Sequence, residues 1–303
     1  MSILPSPPRW IAADWGTSNL RVRAVGPGGQ VLAEAESEEG MGSLAPEAFE
    51  PALLRLVGPW LGPGVTPVLA AGMVGARQGW VEAPYRAVPC APLAAGGLVR
   101  APARDPRIAV FIAPGLSQAK PADVMRGEET QIAGALALHP DFDGVFCLPG
   151  THSKWARVSA GEVVGFQTYM TGELFALLSR QSVLRHSLGG EETDEAAFDE
   201  ALSDALSRPE RGAAKLFSIR AESLLTGLAP AAARGRLSGL LIGMELAGAR
   251  PWWLGQRVML IGSPGLCAAY ARALAAQGNP AETLPAAACS LAGLATLLPG
   301  IEP

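Results

Sequence analysis

Short apolar runs separated by glycine turns dominate the start of the chain. WIAADWGT, from Trp10, reads as a buried strand, LRVRAVG as a second, and PGGQ as the turn into a third that begins at Val31. Three antiparallel strands therefore open the fold. Residues 45–61 follow helical spacing, with Phe49, Leu53, Leu56, Val57 and Trp60 on one face. TPVLAAGMVG and RIAVFIAPG read as further strands that end in glycine turns, and GEETQIAGALAL reads as a helix.

The run GVFCLPGTHSKWARVSAGEVVGF then repeats the opening. Gly16-Thr17 is followed after a strand and a turn by Val31, and Gly150-Thr151 is followed likewise by Val163, which marks a duplicated three-stranded unit. Helices are expected at about 172–184, 194–207, 213–227 and 234–250, then strand RVMLIGS, a helix from Pro264, a short strand AETLPA and a last helix. Two similar α/β lobes with a cleft between them follow from this pattern, divided near His139-Pro140 into residues 9–140 and 141–303. The sequence leaves open whether the last helix returns to pack on the first lobe. Apolar positions in Ala196–Leu206 and Leu216–Leu225 are expected in the core. So is the Trp252-Trp253 pair, with a subunit contact as the other reading.

A chain of 303 residues can bury a large core without staples. Its 24 Lys+Arg against 28 Asp+Glu give a net charge of −4, and 17% charged residues falls below the usual figure of about 25%. Lysine occurs only at Lys120, Lys154 and Lys215, and the arginines are scattered, so no stripe is set to track a nucleic-acid backbone. Cys90, Cys147, Cys267 and Cys289 lie far apart without CxxC spacing, which reads as buried thiols of a reducing compartment. With no secretory signal in view and no apolar run long enough to span a bilayer, a cytoplasmic protein without a membrane partner is expected.

A phosphate is held by backbone N–H groups where small residues let the chain approach, and two facing hairpins can grip a polyphosphate from both sides. Asp14-Trp15-Gly16-Thr17 and Pro149-Gly150-Thr151-His152 suit that task. Asp14 ends a buried strand, where a carboxylate needs a cation or several donors, and a hydrated Mg²⁺ carried by ATP is such a cation. In the plainer reading Asp14 accepts N–H groups of its own turn. A third turn, Gly262-Ser263-Pro264-Gly265, lies between a strand and a helix where the adenosine of a nucleotide could rest. P-loop, dinucleotide-fingerprint, GxSxG and HExxH patterns are all missing from the sequence, which removes support for those chemistries.

These residues, together with Asn19-Leu20-Arg21, Gly72-Met73-Val74-Gly75 with Gly79-Trp80, VMRGEETQ (124–131), PGTHSKW (149–155), MTGEL (170–174) and GLLIGME (239–245), resemble the motifs of the 2-dehydro-3-deoxygalactonokinase family. The resemblance implies an α/β fold of two ribonuclease-H-like (actin-like ATPase) lobes around an ATP cleft. It also implies transfer of the γ-phosphoryl of ATP to the 6-hydroxyl of 2-dehydro-3-deoxy-D-galactonate in bacterial galactonate catabolism, with ATP and Mg²⁺ as cofactors. Related sugar kinases carry a carboxylate at the start of the helix before the second hairpin. Glu128 stands there as the candidate general base, with Glu129 and Asp123 as substitutes, and helix-dipole complementation as the plainer reading of both glutamates. Lys154 is a candidate to meet the migrating phosphoryl, against a plain exposed strand lysine, and His152 a candidate donor to a phosphate oxygen. Arg126 is first choice for the substrate carboxylate and Arg77 second, the latter on chemistry alone. Thr171 is expected to cap a helix beginning at Gly172 and aim N–H groups at an anion, or to be an ordinary cap. A kinase of another 2-keto-3-deoxy acid such as the gluconate epimer stays open, as do a non-catalytic ATP- or sugar-acid-binding regulator and a homo-oligomer.

Overall fold

The computed structural model describes residues 4–301. Contacts divide the chain into two compact units. One comprises the chain to Phe142, Ser159–Gly165 and the segment from Ala286 onward; the other comprises Asp143–Val158 and Phe166–Pro285.

The first unit is built on β1 (Trp10–Trp15), β2 (Leu20–Val25), β3 (Val31–Ser37), helix α1 (Phe49–Val57), β4 (Thr66–Gly72), β5 (Arg86–Ala87), β6 (Val99–Arg100), β7 (Ile108–Ile112), β8 (Leu116–Ala119), β9 (Ala122–Met125) and helix α2 (Glu128–Leu138). Its main sheet runs β3-β2-β1-β4-β7-β6. β1 is antiparallel to β2 and β2 to β3, whereas β1, β4 and β7 are parallel. Side chains alternate across β1. Ile11, Ala13 and Trp15 join the core against α1, with Trp15 5.2 Å from the Phe49 ring, while Trp10 and Ala12 join the core with Ala133 and Leu294 on the opposite face. Asp14 continues that second face at the strand's end.

The second unit repeats the plan with β10 (Gly144–Leu148), β11 (Ser153–Ser159), β12 (Glu162–Tyr169, its residues up to Gly165 counted by contacts with the first unit), helices α3 (Thr171–Arg180), α4 (Glu195–Ser207), α5 (Gly212–Leu225), α6 (Pro230–Gly248) and α7 (Arg250–Trp253), β13 (Val258–Gly262), helix α8 (Pro264–Ala275) and β14 (Glu282–Pro285). Its sheet order is β12-β11-β10-β13-β14, with β10 antiparallel to β11 and β10, β13 and β14 parallel. α6 packs on α4 along Gly235, Gly239 and Gly243, spaced four residues apart. A Cβ on Gly243 would meet the Leu202 carbonyl at 2.8 Å, so only glycine permits this approach.

The last helix, α9 (Ala286–Ala295), whose destination the sequence leaves open, belongs to the first unit, so the second unit does not run through to the end of the 141–303 segment. It crosses α2 where Gly134 and Gly293 oppose each other, and a Cβ on Gly134 would lie 2.7 Å from the Gly293 nitrogen.

Other expectations also shift. The segment 45–61 is α1 flanked by 3-10 turns at Pro46–Ala48 and Gly58–Trp60, because proline removes a helical donor at each. The helix expected to reach residue 184 ends at Arg180, and a 3-10 turn at Val183–His186 follows, opened by the Ser182 hydroxyl accepting the Leu184 N–H at 3.1 Å. α5 is not core along its length: Ile219 is buried, but Phe217, Leu224 and Leu225 stand 64%, 66% and 84% exposed, since the helix has one packed face. Trp253 is core and Trp252 half-buried. The small sheet β5-β8-β9 carried no readable periodicity because its strands are two to four residues long. All four cysteines are free thiols, three buried and Cys90 half-buried. Among the described residues no helix is long and apolar enough to cross a membrane.

Candidate active site

In the first unit the β1–β2 turn is held from outside. Gly16 donates its N–H to the Asn19 carbonyl at 2.9 Å, and the loop after β3 reaches back, with Met41 and Gly42 donating to the carbonyls of Gly16 and Thr17 at 3.0 and 2.9 Å. Trp15 fixes the same loop by donating Nε1 to the Glu39 carbonyl at 2.9 Å. Thr17 and Ser18, at the tip, are exposed. An added Cβ on Gly16 would meet only the Asn19 carbonyl, at an ordinary 3.7 Å, so the fold itself tolerates alanine there.

Asp14 is half-buried, and loss of hydration pushes its carboxyl above the usual range, partly offset by Arg21 and Arg23. Arg21 lies opposite it on β2, and the ladder continues to Glu36. Among the described residues no turn amide is seen to donate to this carboxylate, and the Gly16 N–H is engaged by Asn19.

The start of α2 lies beside these strand ends. Gly72, at φ +95°, pairs with Trp15, and a Cβ on Gly127, at φ +105°, would lie 3.4 Å from the Gly72 Cα. Both glutamates of GEETQ fold back onto the amides before them: Glu128 accepts the Arg126 N–H at 2.9 Å and Glu129 the Gly127 N–H at 2.7 Å. They differ in burial. Glu129 is sealed at 0% exposure, and burial, then the charge of Glu128, pushes its carboxyl up to about 8, whereas Glu128 is half-buried. Asp123 sits on β9 and accepts the Val124 N–H.

Arg126 runs from this corner along the glycine loop after β4. Its Nη2 donates to the Ala83 carbonyl at 2.8 Å and its guanidinium lies 4.3 Å from the Tyr85 ring centroid, while Nε and Nη1, shielded from solvent, meet no acceptor among the described residues. Gly75 leaves the passage: a Cβ there would lie 2.9 Å from Nη1. Arg77 projects into solvent, 3.9 Å from Glu82.

In the second unit the Gly150-Thr151 turn is braced in the corresponding way. Glu173 donates its N–H to the Thr151 carbonyl at 2.9 Å, and His152 meets the Glu173 carboxylate at 2.6 Å. Gly172 follows the end of β12, Tyr169, by three residues, as Gly40 follows Ser37 at the end of β3. A Cβ on Gly172 would crowd the turn, lying 2.9 Å from the Gly150 carbonyl carbon and the Thr151 Cα, whereas one on Gly150 would meet nothing within 4 Å.

This turn opens on a cavity of about 910 Å³ whose walls include Gly150, Thr151, Thr171, Gly265, Leu241, Ile242 and Tyr270. Its other polar groups are Thr193, Ser238, Arg272 with its ion-pair partner Glu195, and Arg234, whose guanidinium lies 5.0 Å from the Phe175 ring. Gly262 abuts the turn, its missing Cβ 3.3 Å from the Pro149 carbonyl, and Ser263 is the backbone N-cap of α8, but of the third glycine motif Gly265 lines the cavity.

Two sequence assignments change here. Thr171 does not cap a helix from Gly172; it is the first residue of α3, and its hydroxyl donates to the buried carboxylate of Glu245. Lys154 is not an exposed strand lysine. It is 5% exposed, donates to Thr168 Oγ1 at 2.8 Å, and by strand alternation lies on the face opposite Ser153 and Trp155. Sequence reasoning also passed over Tyr85, Tyr270 and the role of Glu245. The Glu245 signal was present as one carboxylate inside the apolar stretch LLIGMEL.

The residues fit a magnesium nucleotide. Among the described residues no three His, Cys, Asp or Glu side chains gather as a metal cage, so Asp14, with nothing but arginine charge around its carboxylate, would share a hydrated ion with phosphate oxygens.

Comparisons with known proteins identify the family. A probable 2-dehydro-3-deoxygalactonokinase of Rhizobium meliloti (strain 1021) is 41% identical over 301 residues, 97% of this chain and 98% of the relative. The 2-dehydro-3-deoxygalactonokinase of Escherichia coli (strain K12) is 36% identical over 273 residues, 89% and 90% of the two chains. A crystal structure from Sinorhizobium meliloti carrying the same assignment superposes with a TM-score of 0.90 at 41% identity, covering 97% of this chain and 99% of that one. The activator of 2-hydroxyisocaproyl-CoA dehydratase from Clostridium difficile, 10% identical, shares the fold at a TM-score of 0.50 over 96% and 95% of the chains. The family model described as 2-keto-3-deoxy-galactonokinase matches residues 14–297, and this chain belongs to that family.

Proposed function

We propose that this chain is an ATP-dependent kinase that phosphorylates the 6-hydroxyl of 2-dehydro-3-deoxy-D-galactonate. The observation that carries the reading is the cavity of the second unit, which joins a glycine-threonine turn to an apolar wall formed by α6 and α8. A nucleotide laid there has its phosphates against backbone amides and its base against Leu241 and Ile242.

Phosphoryl transfer to an alcohol asks a protein for positioning, charge neutralisation and a proton acceptor. Gly150 and Thr151 supply the first, and Gly16-Thr17 is the turn at the corresponding place in the first unit. A magnesium ion, when bound, screens the phosphate charge, and Asp14 is the carboxylate that would hold its water shell. Glu128 takes the hydroxyl proton; sealed Glu129 keeps its own near neutrality and acts as support. Arg126 pairs with the substrate carboxylate through Nε and Nη1, which requires the Tyr85 ring or the loop after β4 to give way. Its unmet donors are what support that role. The gluconate epimer differs by one inverted hydroxyl, and the named relatives favour the galactonate. Free thiols and the use of ATP suit the cytoplasm.

The test is ADP release, coupled to a reporter enzyme, with each keto-deoxy acid in turn. The galactonate epimer should turn over with the higher kcat/KM. A preference for the gluconate epimer would reassign the substrate, and no release with either would end the kinase reading in favour of a binding regulator.

A further inference from the structure

Glu245 sits inside the second unit at 2% exposure, with no role in the chemistry above. Its environment is a set of neutral donors from three other elements. Trp155 on β11 donates Nε1 to Oε1 at 2.8 Å, Thr171 on α3 donates to Oε2, and Tyr270 on α8 donates to Oε2 at 2.6 Å. Ser153 Oγ meets the Tyr270 hydroxyl at 3.0 Å, which extends the chain to the residue two places after Thr151. The indole can only donate, so Oε1 is an acceptor, and an ionised carboxylate lets both hydroxyls donate as well. Burial holds the Glu245 carboxyl above its ordinary value, and these donors offset part of that rise.

A packing role alone would be met by leucine or methionine at lower desolvation cost. What the carboxylate adds is direction. Thr171 is the residue before Gly172, which packs on the backbone of Gly150 and Thr151; Ser153 and Trp155 begin the strand that leaves the turn; Tyr270 and Thr171 are cavity wall. Both segments that frame the turn are therefore oriented by one group.

We propose that Glu245 is the positioning residue of the second phosphate turn, fixing Thr171 and the Ser153–Tyr270 pair so that Gly150 and Thr151 present their amides to the nucleotide's phosphates. The proposal rests on the reading of this cavity as a nucleotide site, and it separates phosphate grip from nucleoside binding. In the full chain, Glu245→Gln and Thr171→Val are compared with wild type for ADP binding by calorimetry and adenosine binding by ligand-observed NMR, with thermal melts alongside. Glu245→Gln is expected to weaken ADP about 10–100-fold, the scale of a charge-assisted hydrogen-bond set, while adenosine changes less than about twofold. Thr171→Val shifts the same ratio less, and the double variant is no worse than Glu245→Gln alone.

Equal weakening of both ligands, or an unchanged ratio in a folded variant, overturns the proposal. Should Glu245→Gln fail to fold, Thr171→Val decides it: an unchanged ratio there refutes the orientation role. Wild-type protein that binds adenosine but not ADP, or neither, refutes the nucleotide site itself, a result distinct from an unchanged ratio.

Discussion

Two glycines twenty-two residues apart in sequence make opposite predictions at the same turn. An alanine at Gly172 places a methyl 2.9 Å from both the Gly150 carbonyl carbon and the Thr151 Cα. A relaxed carbon pair needs about 3.5–4.0 Å, so the turn must retreat by about 0.6–1.1 Å. A misplacement of about 1 Å is worth roughly 10²-fold in rate, or about 2.7 kcal/mol of transition-state stabilisation, and the crowding itself costs about 1–3 kcal/mol of stability. Gly150→Ala is different, because the new methyl meets no protein atom within 4 Å and the backbone there is not among the positive-φ glycines. Its melting temperature should stay level or rise slightly, by the equivalent of about 0.4–1 kcal/mol. The methyl nonetheless stands on the wall of the cavity proposed for the nucleotide, so the KM for ATP should rise at least about tenfold. Thermal melts and a coupled ADP-release assay on both variants read these outcomes. A folded Gly150→Ala enzyme with wild-type KM for ATP would refute the assignment of this turn to the phosphates.

Glu129 gives a pH signature. Its carboxyl is held at about 8 where 4.5 is usual. Below pH 4.5 folded and unfolded chains both hold the proton; above it the unfolded chain releases the proton while the folded chain keeps it, so stability falls as pH rises and levels off beyond about 8. The full span is on the order of 4–5 kcal/mol. Glu129→Gln should abolish that fall, gaining on wild type in urea unfolding between pH 5 and pH 8.5, and parallel profiles would contradict the burial argument. Arg126→Lys should raise the KM for the sugar acid about 10–100-fold with the KM for ATP nearly unchanged, as expected when a forked guanidinium is replaced by a point charge. Arg126→Met removes two buried donors without partners among the described residues, at about 1–3 kcal/mol each, and gives up the Ala83 bond and the Tyr85 contact, at about 0.5–2 kcal/mol each, so its stability should match or exceed that of wild type; a loss well beyond the latter two would show that the two donors are satisfied inside the protein.

The duplicated strand plan was legible because it is local: each Gly-Thr turn sits at a fixed distance from strand patterns of period two, and both sheets follow from them. The destination of α9 was not, since Gly134 and Gly293 are far apart in sequence and a glycine in a helix does not name its partner. Exposed Phe217, Leu224 and Leu225 misled for a related reason, because apolar spacing reports a helix face but not whether anything covers it. Asp14, Glu128 and the two turns are candidates that residue type and position alone bring forward. The reversal of Thr171 from cap to donor, and the burial of Lys154, depend on Glu245 and Thr168, residues 74 and 14 positions away. Glutamate within LLIGMEL was the one visible clue, a carboxylate that burial makes untenable without donors.

The most direct test of the kinase assignment follows phosphorus itself. Wild-type protein, magnesium, ATP and 2-dehydro-3-deoxy-D-galactonate are mixed and watched by ³¹P NMR, beside Glu128→Gln. A phosphomonoester signal coupled to the C6 protons should grow as the γ-phosphate signal falls in equal amount, about 10²–10⁴-fold more slowly in the variant. ADP and inorganic phosphate without a phosphomonoester, or a variant as fast as wild type, would contradict transfer to the sugar acid in the first case and Glu128 as its base in the second.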